Sequence, residues 1–98
     1  MTVNKIEEDD QLIIKVEGRL DAATAPKLEE EVTESIKGVK KLEFDFEKLE
    51  YISSAGLRVL LSAQKTMNKQ GSMAVLHVNE TIMEIFEVTG FNDILTIQ

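Results

Sequence analysis

Apolar residues recur along this chain with two periods, and the changes of period divide it into elements. Residues 2–8 alternate weakly, with Val3 on one face and Asn4, Ile6 and Glu8 on the other, which predicts an edge strand. Asp9-Asp10 suits a two-residue turn. Leu12, Ile14 and Val16 then alternate with Gln11, Ile13 and Lys15, a second strand that forms a hairpin with the first. Gly18 to Thr24 reads as a connection. Thr24 is the N-cap candidate of a helix with Pro26 in its first turn, and Ala25, Leu28, Val32 and Ile36 recur at helical spacing up to a stop at Gly38. Glu29, Glu30, Glu31 and Glu34 read as the solvated side of that helix.

Leu42, Phe44 and Phe46 share one face of the next strand, Lys41 to Phe46. Glu47 to Ile52 reads as a loop tacked down by Leu49 and Ile52. After Ser53-Ser54 a helix is predicted from about Ser54 to Gln70, on Leu57, Leu60, Leu61, Gln64 and Met67, and Gly71 ends it. Ser72 to Val78 is apolar on both faces, the pattern of a central strand covered on both sides. Asn79 suits the cap of a short helix with Ile82, Ile85 and Phe86 inward, ended by Thr89-Gly90. Ile94 to Ile97 is a last strand or a terminal packing segment. The order ββαβαβα predicts one α/β domain over residues 1–98. Its sheet is mixed but mostly parallel, of four to five strands, with an N-terminal edge hairpin and three main helices.

Composition narrows the function. The chain has 98 residues and a net charge of −7, which argues against nucleic acid and anionic membrane surfaces as partners. It contains no cysteine, so disulfides, thiol catalysis and Cys-based metal sites are excluded. Residues 1–8 lack signal-peptide character and no apolar run approaches a membrane span, so a cytoplasmic protein is expected. With one histidine and no calcium-type Asp-rich loop, no metal site is expected.

The chemistry concentrates at Ser53-Ser54, where an apolar approach meets the start of a helix. A hydroxyl there can cap the unpaired amides, or can hold a phosphate at the favourable end of the helix dipole. Gly56 in the first turn costs helix propensity and would leave room for another molecule's approach. A serine-hydrolase elbow is not formed, because Ile52 stands where Gly-x-Ser-x-Gly needs its first glycine. His77 lies within an apolar strand and reads as a buried structural histidine, not a catalytic base.

These residues resemble the STAS domain, and within it the small bacterial anti-sigma factor antagonists. Gly18-Arg19-Leu20-Asp21 with Thr24 is similar to the family's loop before the first helix. Leu42 to Ser54 is similar to its third strand and the loop to the regulatory serine. Ser53-Ser54-Ala55-Gly56-Leu57-Arg58-Val59-Leu60 is similar to its Asp-Ser-Ser-Gly-Leu-Gly-Val-Leu segment. The resemblance implies that Ser54 is phosphorylated by a partner anti-sigma factor, a serine kinase of the GHKL ATPase type. The unphosphorylated form binds that kinase and frees a sigma factor; phosphorylation abolishes binding, and a phosphatase restores it. ATP belongs to the partner, so no cofactor is expected here. By the same resemblance Asp21, Thr24, Ser53, Ser54, Gly56, Leu57 and Arg58 form the partner contact, and a weak homodimer is among the expected assemblies. Two positions depart from the family pattern. Ser53 replaces an aspartate and offers a second phosphoacceptor, and Arg58 replaces a glycine, four residues after Ser54 and in reach of a phosphate there. The alternatives are a non-phosphorylated STAS scaffold subunit of a signalling or transport assembly and, last, a serine hydrolase.

Overall fold

The computed structural model describes residues 1–98. In chain order the elements are β1 (Thr2–Glu8), β2 (Gln11–Leu20), α1 (Ala25–Ser35), β3 (Lys41–Asp45), β4 (Leu49–Ile52), α2 (Ser54–Gln70), β5 (Ser72–Leu76) and α3 (Glu80–Thr89), followed by a 3-10 turn at Phe91–Asp93. The expected mixed sheet is present. β1 runs antiparallel to β2, β2 runs parallel to both β3 and β4, and β3 runs parallel to β5.

The register explains the core. Leu12 and Ile14 of β2 lie opposite Leu42 and Phe44 of β3, which lie opposite Met73 and Val75 of β5. Because side chains alternate along a strand, these residues share one face of the sheet. Leu28 and Val32 of α1, Leu57, Leu60 and Met67 of α2, and Ile82 and Phe86 of α3 close over that face as one continuous cluster. Burying one side chain of this size is worth about 1.5–3 kcal/mol. Gly71, between α2 and β5, passes so close to Lys40 that a β-carbon there would fall on the Lys40 carbonyl. None of the helices is long and apolar enough to cross a membrane.

Four features differ from the sequence expectations. β2 does not end at Val16 but continues to Leu20 through a register shift at Gly18, whose φ is +90°. The predicted loop at Glu47 to Ile52 contains strand β4, which pairs with that extension, Gly18 opposite Leu49 and Leu20 opposite Ile52. A four-residue strand carries too little alternation to be seen alone; its partner creates it. β5 stands at the end of the strand order, not its centre, and stops at Leu76. Its apolar residues on both faces give the central reading, and it is not left as a free edge: Val75 donates its N–H to the Thr96 carbonyl at 2.8 Å, and Gln98 donates to the Val75 carbonyl at 2.9 Å. Finally, the acidic side of α1 is not all solvated. Glu31 is half-buried between Lys5, at 2.8 Å, and Lys27, at 3.2 Å. Hydrogen bonds from Lys5 and then Lys27 hold the Glu31 carboxyl below its usual range, and the Lys5 ammonium is raised in return.

Asn79 joins two layers. Its side-chain oxygen accepts the Ile82 N–H at 2.9 Å and caps α3, while its amide donates to the Leu49 carbonyl of β4 at 2.8 Å. Asn79→Ala is expected to lower stability by about 1–2 kcal/mol in urea unfolding. Asn79→Asp keeps the cap but sets a carboxylate against the Leu49 carbonyl, so it should recover only part of that loss.

Candidate functional site

The C-terminal ends of parallel strands β2, β3, β4 and β5 open on one rim of the sheet, the side on which open α/β sheets place their sites. β2 delivers Asp21 to this rim, and β4 delivers Ser53 and Ser54. The junction between β4 and α2 is held by the Ser53 N–H, which donates to the Leu20 carbonyl at 2.9 Å, and by the Leu57 N–H, which donates to the Ser53 carbonyl at 3.0 Å.

The two serines differ sharply. Ser53 occupies the N-cap position in extended conformation, yet its side chain caps no amide. Its hydroxyl oxygen is buried and has no hydrogen-bond partner. Ser54 is the first helical residue and is exposed. The local expectation of a capping hydroxyl is therefore not met by Ser53, and the first turn of α2 keeps its amides free of side-chain acceptors. A helix N-terminus in that condition favours a negative group.

Gly56 and Leu57 are both buried in the first turn of α2. A β-carbon on Gly56 would lie 2.7 Å from the Leu20 Cγ and 2.8 Å from the Ile52 Cγ1. The space that Gly56 leaves is thus filled from within: the glycine lets α2 settle on the ends of β2 and β4. The sequence reading, in which it admits another molecule, is corrected by this inward orientation.

Asp21 and Thr24 form the start of α1. The Asp21 Oδ1 accepts the N–H of Ala23 at 3.1 Å and of Thr24 at 3.2 Å, and the Asp21 carbonyl accepts the Ala25 N–H at 2.8 Å. The Thr24 hydroxyl accepts the Asp21 N–H at 2.9 Å and donates to the Arg19 carbonyl at 2.8 Å. This is the reciprocal arrangement of a capping box, with Asp21 in the capping role and Thr24 three residues on. Thr24 itself makes no side-chain cap, contrary to the sequence expectation, because its hydroxyl points back along the chain. Burial pushes the Asp21 carboxyl up, but hydrogen bonds from Thr24 and Ala23 and the charge of Arg19 outweigh it, so the net shift is downward.

Arg58 is exposed on α2 and forms no ion pair. It lies on a groove of about 590 Å³ between the two helices, with Ala22, Pro26 and Glu29 on one wall and Ala55 and Lys65 on the other. Two rim features have no signature in the sequence. Arg19 stacks over the Tyr51 ring, 4.5 Å from its centroid, because the shifted register sets these residues opposite each other on β2 and β4. His77 is not a buried strand residue. It follows the end of β5 in left-handed backbone, φ +58°, with a side chain 56% exposed, and its Nδ1 lies 2.9 Å from Asp45 Oδ1. Asp45 and His77 are 32 residues apart, and only the pairing of β3 with β5 brings them together. His77 makes no hydrogen bond to either serine, so no nucleophile–base pair forms.

Residues 2–98 match the STAS domain family. An anti-sigma-B factor antagonist of Listeria monocytogenes is 35% identical over 97 residues, 96% of this chain and 84% of that protein. Among solved structures, an anti-sigma factor antagonist from Mycobacterium paratuberculosis superposes with a TM-score of 0.88 at 22% identity, over 98% of this chain and 83% of that one. The Bacillus cell fate determinant SpoIIAA in its phosphorylated form gives 0.77 at 17% identity, over 99% and 91%. The chain belongs to the STAS domain family.

Gly56→Ala is expected to destabilise the fold by about 1–2 kcal/mol, although alanine is the better helix former, because overpacking against Leu20 and Ile52 outweighs the gain in propensity. Chemical denaturation reads this directly. For Asp21 the depressed carboxyl binds a proton less readily folded than unfolded, so its stabilisation is present at neutral pH and is lost as pH falls through the folded value. Asp21→Asn should thus have a lower unfolding midpoint than wild type at neutral pH, and the two curves should converge as pH drops below about 4.

Proposed function

We propose that this chain is an anti-sigma factor antagonist whose partner is an anti-sigma factor with serine kinase activity, and that phosphorylation of Ser54 releases the pair. As in its relatives, the role is regulatory binding, not catalysis. The observation that carries the reading is the contrast within the serine pair: the Ser54 hydroxyl is open at the first position of α2, whereas the Ser53 oxygen is buried. Ser54 is then the phosphoacceptor, and Ser53 is not the competing one.

The physical basis of the switch is charge. Phosphate adds about −1.5 to −2 charges at neutral pH. It lands on a chain whose net charge is already −7, at a contact that a basic partner surface would suit. On the folded chain the same group is favoured by the free amides of α2 and by Arg58, one turn away and unpaired. Phosphorylation thus alters the contact without unfolding it, and a phosphatase reverses it. In this reading Ser54 and Arg58 meet the partner, while Asp21 and Thr24 hold the neighbouring turn and Gly56, Leu57 and Ser53 shape the rim from beneath. ATP is bound by the kinase, and the setting is the cytoplasm.

The test is incubation with the cognate kinase and Mg-ATP. Wild type and Ser53→Ala should incorporate one phosphate, and Ser54→Ala none. Ser54→Asp should bind the kinase at least ~10-fold more weakly, about 1.4 kcal/mol. Normal labelling of Ser54→Ala together with full binding by Ser54→Asp would overturn the proposal.

A further inference from the structure

We infer that Asp45, Glu47 and His77 form a binding site for one divalent transition-metal cation of the zinc class, on the rim of the sheet where β3 and β5 end. The sequence predicts no metal site, because the chain has one histidine and no cysteine. The fold brings that histidine against two carboxylates. The His77 Nδ1 lies 2.9 Å from Asp45 Oδ1 and 3.9 Å from Glu47 Oε2, and the three ligand atoms lie within 4.8 Å of one another. Ligands about 2.0–2.2 Å from a zinc ion stand roughly 3.3–3.5 Å apart when tetrahedral, so a slight opening of the exposed His77 ring from Asp45 and a small closure of the exposed Glu47 side chain complete the set.

The donors are also oriented. Asp45 is the least exposed of the three, its side chain 14% accessible, and its Oδ1 accepts the Glu47 N–H at 3.0 Å, which fixes the carboxylate and the turn that carries Glu47. His77 is presented by a left-handed residue at the end of β5, so its ring projects off the sheet toward β3. Lys15 lies opposite Asp45 on β2, yet no lysine forms an ion pair with either carboxylate, so the only group of the chain that a metal ion must displace from them is the His77 ring proton. Beside them Lys15, Glu17, Asp45, Glu47 and Lys48 line a cavity of about 180 Å³, room for the waters that would complete the coordination and for entry of the ion. One imidazole with two carboxylates suits zinc, nickel, cobalt or copper and disfavours magnesium, which takes oxygen donors and keeps its waters. On binding, the cation replaces the proton between Nδ1 and Asp45, which is released to solvent, and the neutral ring keeps its proton on Nε2.

The single histidine makes the test direct. Untagged protein is titrated with zinc by calorimetry, and the imidazole nitrogens of His77 are followed by NMR. One equivalent should bind, with the larger shift at Nδ1 and with Nε2 settling at the value of a protonated, uncoordinated nitrogen, and excess magnesium should not displace it. His77→Asn, which tolerates the left-handed backbone, and Glu47→Gln at an exposed position should each weaken binding by at least ~10-fold, and Glu47→Gln should do so with unchanged melting in the metal-free state, which separates lost binding from the lost Asp45 bond of His77→Asn. The proposal is overturned if wild type shows no saturable binding, if both variants bind as wild type does, or if the His77 resonances stay unmoved at saturation.

Discussion

The backbone ladder of β2 is the constraint on which the structure depends. One strand of ten residues pairs antiparallel with β1 from Gln11 to Glu17, and on its other side parallel with β3 from Gln11 to Lys15 and then with β4 from Gly18 to Leu20. The change of partner falls at Gly18, where positive φ and a register shift let the strand continue past the end of β3. Everything at the rim follows from that continuation. The Leu20 carbonyl receives the Ser53 N–H, Leu20 itself packs under Gly56, and Asp21 begins the turn that caps α1. A strand that stopped at Val16 would leave β4 without a ladder and α2 without a floor.

That floor separates two adjacent serines. The extended backbone at Ser53 turns its hydroxyl into the protein, and the first turn of α2 turns that of Ser54 to the outside. Neighbouring residues of the same type thereby differ completely in what can reach them. The same arrangement divides labour among the other rim residues. Asp21 and Thr24 spend their polar atoms on each other and on backbone amides, Gly56 and Leu57 face inward, and Arg58 remains free beside the groove between the helices. Several residues of one motif thus hold the surface in shape rather than standing exposed on it.

The opposite end of the rim depends on a different pairing. β3 and β5 run parallel and in register, so their last residues, Asp45 and Leu76, stand side by side, and His77 steps off the end of one strand toward the other. The short Asp45–His77 bond and the Asn79 bridge to Leu49 tie the connections after β3 and β5 to one another. The rim is therefore braced at both ends, with the exposed serine between them in chain order.

Much of this was legible in the residues. The alternation of Leu12, Ile14 and Val16, and of Leu42, Phe44 and Phe46, marks strands with one buried face, and the helical recurrence through Leu57, Leu60 and Met67, with Gly71 beyond it, marks α2. Periodicity is a local property, and long elements carry enough of it to be read. The serine pair at the start of α2 was visible for the same reason. What the sequence could not supply were relations between distant segments. β4 is four residues long and exists because β2 extends to meet it; β5 reads as central because both its faces are apolar, yet it stands at the end of the strand order with the C-terminal segment on its edge; His77 reads as buried because its neighbours are apolar. Strand register, and with it the burial of Ser53, the floor beneath Gly56 and the meeting of Asp45 with His77, was decided only when non-local backbone hydrogen bonds were made, and these depend on which strands stand side by side, not on any pattern within one of them.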